Sequence, residues 1–155
     1  RGTTVRLYLP RAGVEHRQQE QGPVQSGSPR ASGETTILVV EDNEGVRDMV
    51  VQQLTELGYR VVAAGNAAAA FELLADDSRS VDLLFTDIVM PGGTSGIDLL
   101  RRAREQRPEI KVLLTSGYAE VSLPKDQETG EPVAFLSKPY RKHELARRIQ
   151  ETLAR

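Results

Sequence analysis

The chain has 155 residues, 39% of them apolar and 27% charged, with a formal net charge of −2 and no cysteine. That length suits one domain with a real core rather than two. The missing cysteine excludes disulfides, thiolate chemistry and cysteine-ligated zinc or iron–sulfur sites, and no apolar stretch approaches the ~20 residues that cross a bilayer.

Thr3 to Pro10 alternates apolar and polar residues like one strand stopped by proline. Residues 11–34 are rich in Gln, Gly, Ser, Pro and Arg and read as a flexible linker. Five Arg against three Glu put residues 1–34 at +2 and the remainder at −4. Neither part carries the concentrated basic face of a nucleic-acid binder. With no secretory signal visible, the expected location is cytoplasmic, with any membrane anchor elsewhere in a longer parent.

From Thr35 the pattern becomes strand, helix, strand. Ile37 to Val40 is a short apolar strand. A helix follows over about Glu44 to Leu57, with Val46, Met49, Val50, Leu54 and Leu57 at helical spacing and Gly58 as its stop. Tyr59 to Ala64 is the second strand, and Asn66 caps a helix whose face is Ala67, Ala70, Phe71 and Leu74. The third strand, Val81 to Thr86, is apolar enough to be covered on both faces. Ser95 to Glu105 is a helix with Ser95 and Asp98 spaced as a capping pair. Ile110 to Thr115 and Val133 to Leu136 are strands four and five, and Tyr140 to Leu153 is the last helix, striped by Leu145, Ile149 and Leu153. The helix due between strands four and five is poorly written, because Ala119 to Pro132 holds Pro124, Gly130 and Pro132. Five strands alternating with helices predict an α/β fold, an open, doubly wound parallel sheet covered on both sides.

In such sheets ligands bind beyond the carboxyl ends of the strands, where strand order reverses. The chemistry-bearing residues of this chain map to that edge. Glu41 and Asp42 follow the first strand, Asp87 the third, Ser116 the fourth and Lys138 the fifth. Three carboxylates brought together need a cation, and a hard divalent ion with oxygen ligands, Mg²⁺ in practice, answers that need. Lys138 adds a compact positive charge and Ser116 a hydroxyl donor. An anionic tetrahedral group on or beside Asp87 would meet metal, ammonium and hydroxyl together, which is what phosphoryl transfer requires. A carboxylate can itself be the nucleophile, giving an aspartyl phosphate. No general base is needed, in keeping with His16 in the linker and His143 in the last helix.

Singly, each residue has a plain structural reading: a turn carboxylate, a helix-start acid pair, a solvated lysine, a turn hydroxyl, a core phenylalanine. In combination Val39-Val40-Glu41-Asp42-Asn43, Asp87-Ile88-Val89-Met90-Pro91-Gly92, Leu114-Thr115-Ser116-Gly117 and Phe135-Leu136-Ser137-Lys138-Pro139-Tyr140 resemble the motifs of response-regulator receiver domains, over Thr35 to Arg155. The resemblance implies a flavodoxin-like sheet of order 2-1-3-4-5. It implies Asp87 as phosphoacceptor, Asp42 as direct Mg²⁺ ligand with Glu41 assisting, and the Val89 carbonyl as a further ligand. It gives Ser116 the phosphoryl hydrogen bond, Lys138 the charge, Ser116 and Phe135 the switch, and Lys138-Pro139 a cis peptide bond. Glu41 stands where aspartate is often found, and Ser-Gly at 116–117 replaces the commoner Thr-Ala. Partners implied are a histidine kinase or histidine phosphotransfer domain, with weak homodimerisation. Gly2 to Pro10 further resembles the end of a histidine-kinase ATP-binding domain, which would make the whole the carboxyl-terminal part of a hybrid sensor kinase. Two other classes share the fold: a cofactor-binding flavodoxin-like module, which the charged, aromatic-poor crevice disfavours, and a pseudo-receiver acting only in protein interaction.

Overall fold

The computed structural model describes residues 35–76, 78–117, 123–125 and 132–155. The expectations for residues 1–34, and for most of the segment 119–132, fall outside the described residues.

Five strands form one parallel sheet: β1 (Thr36–Val40), β2 (Arg60–Ala64), β3 (Leu83–Asp87), β4 (Lys111–Ser116) and β5 (Ala134–Ser137), in the order β2-β1-β3-β4-β5. Between them run α1 (Glu44–Glu56), α2 (Ala67–Ala75), α3 (Gly96–Gln106) and, after β5, α4 (Lys142–Leu153). This is the doubly wound parallel sheet that the alternation of elements predicts, in the flavodoxin-like order that the resemblance implies. The chain leaves β1 to build β2 on one side and returns to build β3 on the other, so strand order reverses between β1 and β3.

Strand alternation sorts the core into two layers, because successive side chains point to opposite faces. Leu38, Val40, Leu84 and Leu114 face α2 and α3, packing with Ala70, Leu74, Leu99 and Ala103. Ile37, Val39, Phe85 and Leu113 face α1 and α4, packing with Val50, Leu54, Leu145 and Ile149. Burying each such aliphatic or aromatic side chain contributes roughly 1.5–3 kcal/mol, so the central strands β1, β3 and β4 are held from both sides.

The helix ends follow local chemistry. Asn43 and Asn66 accept the N–H groups of Val46 and Ala69 at 3.1 and 2.9 Å. Gly58, at φ 91°, ends α1: its own N–H reaches Thr55 O and the N–H of Tyr59 reaches Leu54 O, the double bond that a left-handed residue permits. Ser95 and Asp98 cap α3 reciprocally.

Three details differ from the sequence reading. Met49 sits at helical spacing with the core residues of α1 but is 46% exposed, because the buried stripe runs through Val50 and Leu54. Strands β3, β4 and β5 each end one residue later than hydrophobicity suggests, since the backbones of Asp87, Ser116 and Ser137 still pair, with Asp87 opposite Thr115 and Ser116 opposite Ser137. The last helix begins at Lys142 rather than Tyr140, because Arg141 is extended and its N–H is taken by the Glu144 carboxylate at 2.7 Å.

Candidate functional site

The apolar strands end in polar residues at the same edge. Val40 leads into Glu41 and Asp42, β3 terminates at Asp87, β4 at Ser116, and β5 at Ser137 just before Lys138. Register brings these ends level: Val40 lies opposite Thr86, and Asp87 opposite Thr115. Lys138 reaches across from the β5 end, and its Nζ donates to Asp87 Oδ2 at 2.6 Å and to Glu41 Oε2 at 2.7 Å. The side chains are 22% exposed for Lys138, 13% for Asp87 and 5% for Glu41. Pairs this sheltered are screened far less by salt than surface ion pairs.

One ammonium therefore serves two carboxylates. Burial alone would lower the Lys138 pKa, but the hydrogen bonds to Asp87 and Glu41 outweigh it and the net shift is upward. Asp87 Oδ1 accepts the N–H of Val89 at 3.1 Å, so each oxygen of this carboxylate has a donor and its plane is fixed. Ser116 is fully buried, and its carbonyl accepts the Lys138 N–H at 2.8 Å, clipping the two strand ends together. The Lys138-Pro139 peptide bond is cis. Phe135 is half-buried against the α2/α3 layer, and its carbonyl accepts Arg148 Nε at 3.0 Å.

Asp42 is exposed, as is the side chain of Val89. Among the described residues no three acidic or histidine side chains stand together as a ready-made metal cage. The two carboxylates that do meet are Glu41 and Asp87, and the cation between them is Lys138. The donors along this edge, the carboxylates of Glu41, Asp42 and Asp87 and the Val89 carbonyl, are all hard oxygens. That set fits Mg²⁺, which takes one or two carboxylates and keeps several waters.

Three residues at this edge had no part in the sequence reading of the site. Thr115 Oγ1 donates to Leu136 O at 2.8 Å, stitching β4 to β5 beside Ser116. Gly96 donates its N–H to Ile88 O at 2.9 Å, and a Cβ built on it would lie 2.2 Å from Asp87 O, so only glycine lets α3 start this close to the Asp87 backbone. Tyr140 lays its ring edge-on against Phe85 at 6.3 Å. Burial, then the charges of Glu41 and Asp87, raise its phenol pKa, and its hydroxyl is buried with no hydrogen-bond partner. Thr115 and Tyr140 stand inside the sequence motifs without a role of their own there, and the glycine after the Ser95 cap gave no sign of its contact with Asp87.

Residues 37–150 match the model of the response regulator receiver domain. The chain belongs to the response regulator receiver family. Among relatives of this receiver, the sensor kinase CckA of Brucella abortus is 33% identical over 159 residues, covering 99% of this chain and 17% of that protein. The receiver protein CpdR of the same organism is 38% identical over 117 residues, covering 76% of this chain and 95% of its own. A solved receiver domain from a hybrid histidine kinase CckA superposes with a TM-score of 0.64 at 34% identity, over 76% of this chain and 98% of that one. The response regulator TrrA of Thermotoga maritima, solved in complex with Mg²⁺ and BeF, gives 0.63 at 26% identity over the same shares. The chain thus spans nearly all of the small receiver protein and about a sixth of the sensor kinase. Among the described residues no helix is long and apolar enough to cross a membrane.

Proposed function

We propose that this receiver domain takes a phosphoryl group onto Asp87 from a phosphohistidine of a kinase or phosphotransfer domain, in an Mg²⁺-dependent step. The observation that carries the reading is the partly buried Lys138 ammonium 2.6 Å from Asp87 Oδ2, at the point where the strand order reverses. In the proposed step an Asp87 carboxylate oxygen attacks phosphorus and the P–O bond forms. The P–N bond breaks, and the histidine nitrogen leaves with its electron pair and is reprotonated. A carboxylate nucleophile requires no neighbouring base.

Asp42 and Asp87, with Glu41 assisting and the Val89 carbonyl, would hold the ion, which supplies charge neutralisation for the phosphoryl oxygens. Lys138 exchanges its contact with Asp87 for one with the phosphoryl group, and the Ser116 hydroxyl donates to another of its oxygens. Drawing Ser116 toward the phosphate frees space beside Phe135, whose half-buried ring is the element that moves. The structure of the relative TrrA with Mg²⁺ and BeF supports the ion assignment. The similarity to a sensor kinase over 99% of this chain supports a longer, kinase-containing parent. There residues 1–10 would end the ATP-binding domain, 11–34 would be the linker and 35–155 the receiver, on the cytoplasmic side.

Incubation with acetyl phosphate and Mg²⁺, followed by intact mass, tests the reading. Wild type gains one phosphoryl mass, Asp87→Asn gains none, and EDTA abolishes the gain. An undiminished gain in Asp87→Asn rejects Asp87 as acceptor.

A further inference from the structure

Arg47 lies in the first turn of α1, beyond the acidic loop that joins β1 to that helix. Its Nη1 donates to Glu41 O at 2.9 Å and lies 3.5 Å from Asp42 O, the first a full hydrogen bond and the second a weak one. These carbonyls belong to the two peptide planes on either side of the Asp42 Cα. Holding both planes fixes the direction in which the Asp42 side chain leaves the backbone. The loop's other restraints lie at its two ends, the Glu41 carboxylate on Lys138 and the Asn43 cap of α1. The β1–β3 ladder ends with Val40 opposite Thr86, and past it the Glu41 N–H makes one 3.2 Å bond to Ala64 O.

Room for the guanidinium comes from Gly65, directly after β2. A Cβ there would stand 3.2 Å from Arg47 Nη1 and 3.7 Å from its Cζ, so the small residue leaves the slot in which Arg47 lies. The arginine itself is set by its N–H bond to Asn43 O at 2.9 Å, in the turn that Asn43 caps. A cation beside three acidic residues would ordinarily be read as their counter-charge. Here its hydrogen bonds among the described residues go to backbone carbonyls.

We infer that Arg47 is a positioning residue for divalent-cation binding: it locks the β1–α1 loop so that the Asp42 carboxylate faces the ion, with Gly65 as the space that admits it. This rests on the Mg²⁺ site proposed above.

The two roles open to a nearby cation give opposite signs. If Arg47 acted only through its charge, removing it would relieve repulsion and tighten Mg²⁺ binding. If it aims Asp42, removing it loosens binding, as loss of ligand-orienting partners commonly does by about ten- to a hundredfold. The measurement is an MgCl₂ titration of the whole chain, followed by backbone amide NMR shifts, with a thermal melt of each variant. Arg47→Ala should raise Kd about tenfold, with Arg47→Lys between it and wild type, because a strongly hydrated ammonium on a flexible stem holds the two carbonyls less firmly than the planar guanidinium. Without Mg²⁺, the Asp42 and Asn43 amide shifts should already differ from wild type. Arg47→Lys keeps the charge and should still weaken binding even if Arg47→Ala melts early. Binding in Arg47→Ala, or in Arg47→Lys where Arg47→Ala does not fold, as tight as wild type or tighter overturns the inference while leaving the proposed function intact. A wild type with no Mg²⁺-dependent shifts overturns both.

Discussion

The two edges of the sheet use the same kinds of side chain to opposite ends. At the carboxyl edge charges face one another: Lys138 meets Asp87 and Glu41 in sheltered surroundings. At the amino edge Arg107 and Asp82 face the backbone, as Arg47 does beside the carboxyl-edge cluster. Arg107 donates to Leu74 O, Asp76 O and Arg79 O at 3.0, 3.0 and 2.7 Å, taking up carbonyls at and beyond the end of α2. Asp82 Oδ2 accepts the Thr36 N–H at 2.7 Å, where β1 begins. A groove of about 590 Å³ opens at this amino edge, lined by Thr35, Asp82, Arg107 and Lys111 among others, yet Arg107 and Asp82 are already committed to closing backbone ends. A charged residue becomes available for chemistry when the backbone around it is already satisfied, as parallel pairing does for the carboxyl ends of the central strands.

Gly96→Ala should produce the largest effect. The new Cβ would meet Asp87 O at 2.2 Å, and backbone on both sides must move. Overpacking of this kind costs about 3 kcal/mol, read as a lower urea midpoint, and the displaced strand end should also lose phosphoryl acceptance. Wild-type acceptance in this variant would show that the carboxyl edge tolerates the displacement.

Arg107→Ala comes next. It leaves three carbonyls without their donor and should cost about 2 kcal/mol, while phosphorylation of the folded protein proceeds as in wild type. A change in phosphorylation at a temperature where the variant is fully folded would break the division between the edges.

Tyr140→Phe should have the smallest effect at neutral pH, under about 1 kcal/mol, because it removes a hydroxyl that has no partner. Its signature is alkaline. The folded protein holds the Tyr140 phenol above its usual pKa, so the unfolded chain loses that proton first as pH rises. Its contribution is complete below about pH 10 and fades as pH climbs toward the folded value. Tyr59, raised by burial, has the same sign. So does Lys138, where the Asp87 and Glu41 hydrogen bonds overcome burial. Urea midpoints from pH 8 to 11 should therefore fall less steeply in Tyr140→Phe than in wild type, and parallel curves would contradict the assignment.

Much of the fold was legible because it depends on local signals: apolar strands ending in charged or hydroxyl residues, asparagine caps before helices, glycine after α1. Asp87, Ser116 and Lys138 were legible as strand-end residues, and the structure brings Lys138 to Asp87. That Glu41, not Asp42, would share the ammonium was not legible. The choice depends on which side of the loop each side chain leaves, and hydrophobic periodicity stops at Val40. Gly96 and Arg107 were hidden for a related reason: one matters through a contact with Asp87 that only folding creates, the other through carbonyls some thirty residues away. Met49 misled because helical spacing marks a face without saying how wide the neighbouring layer is.

The Lys138 N–H bond to Ser116 O has a further reach. It continues the β4–β5 ladder one step past its last pair and fastens the carboxyl ends of the two strands, and Thr115 Oγ1 adds a second stitch at Leu136 O. The connection from β4 to β5 starts at this edge and ends at the other, because the strands are parallel, and lengthening such a crossover costs little, since closure entropy grows only logarithmically with loop size. Insertions in the crossover would leave Ser116 and Lys138 in register, held by the ladder and these two bonds, so the domain can acquire new surface there while its acceptor chemistry stays put.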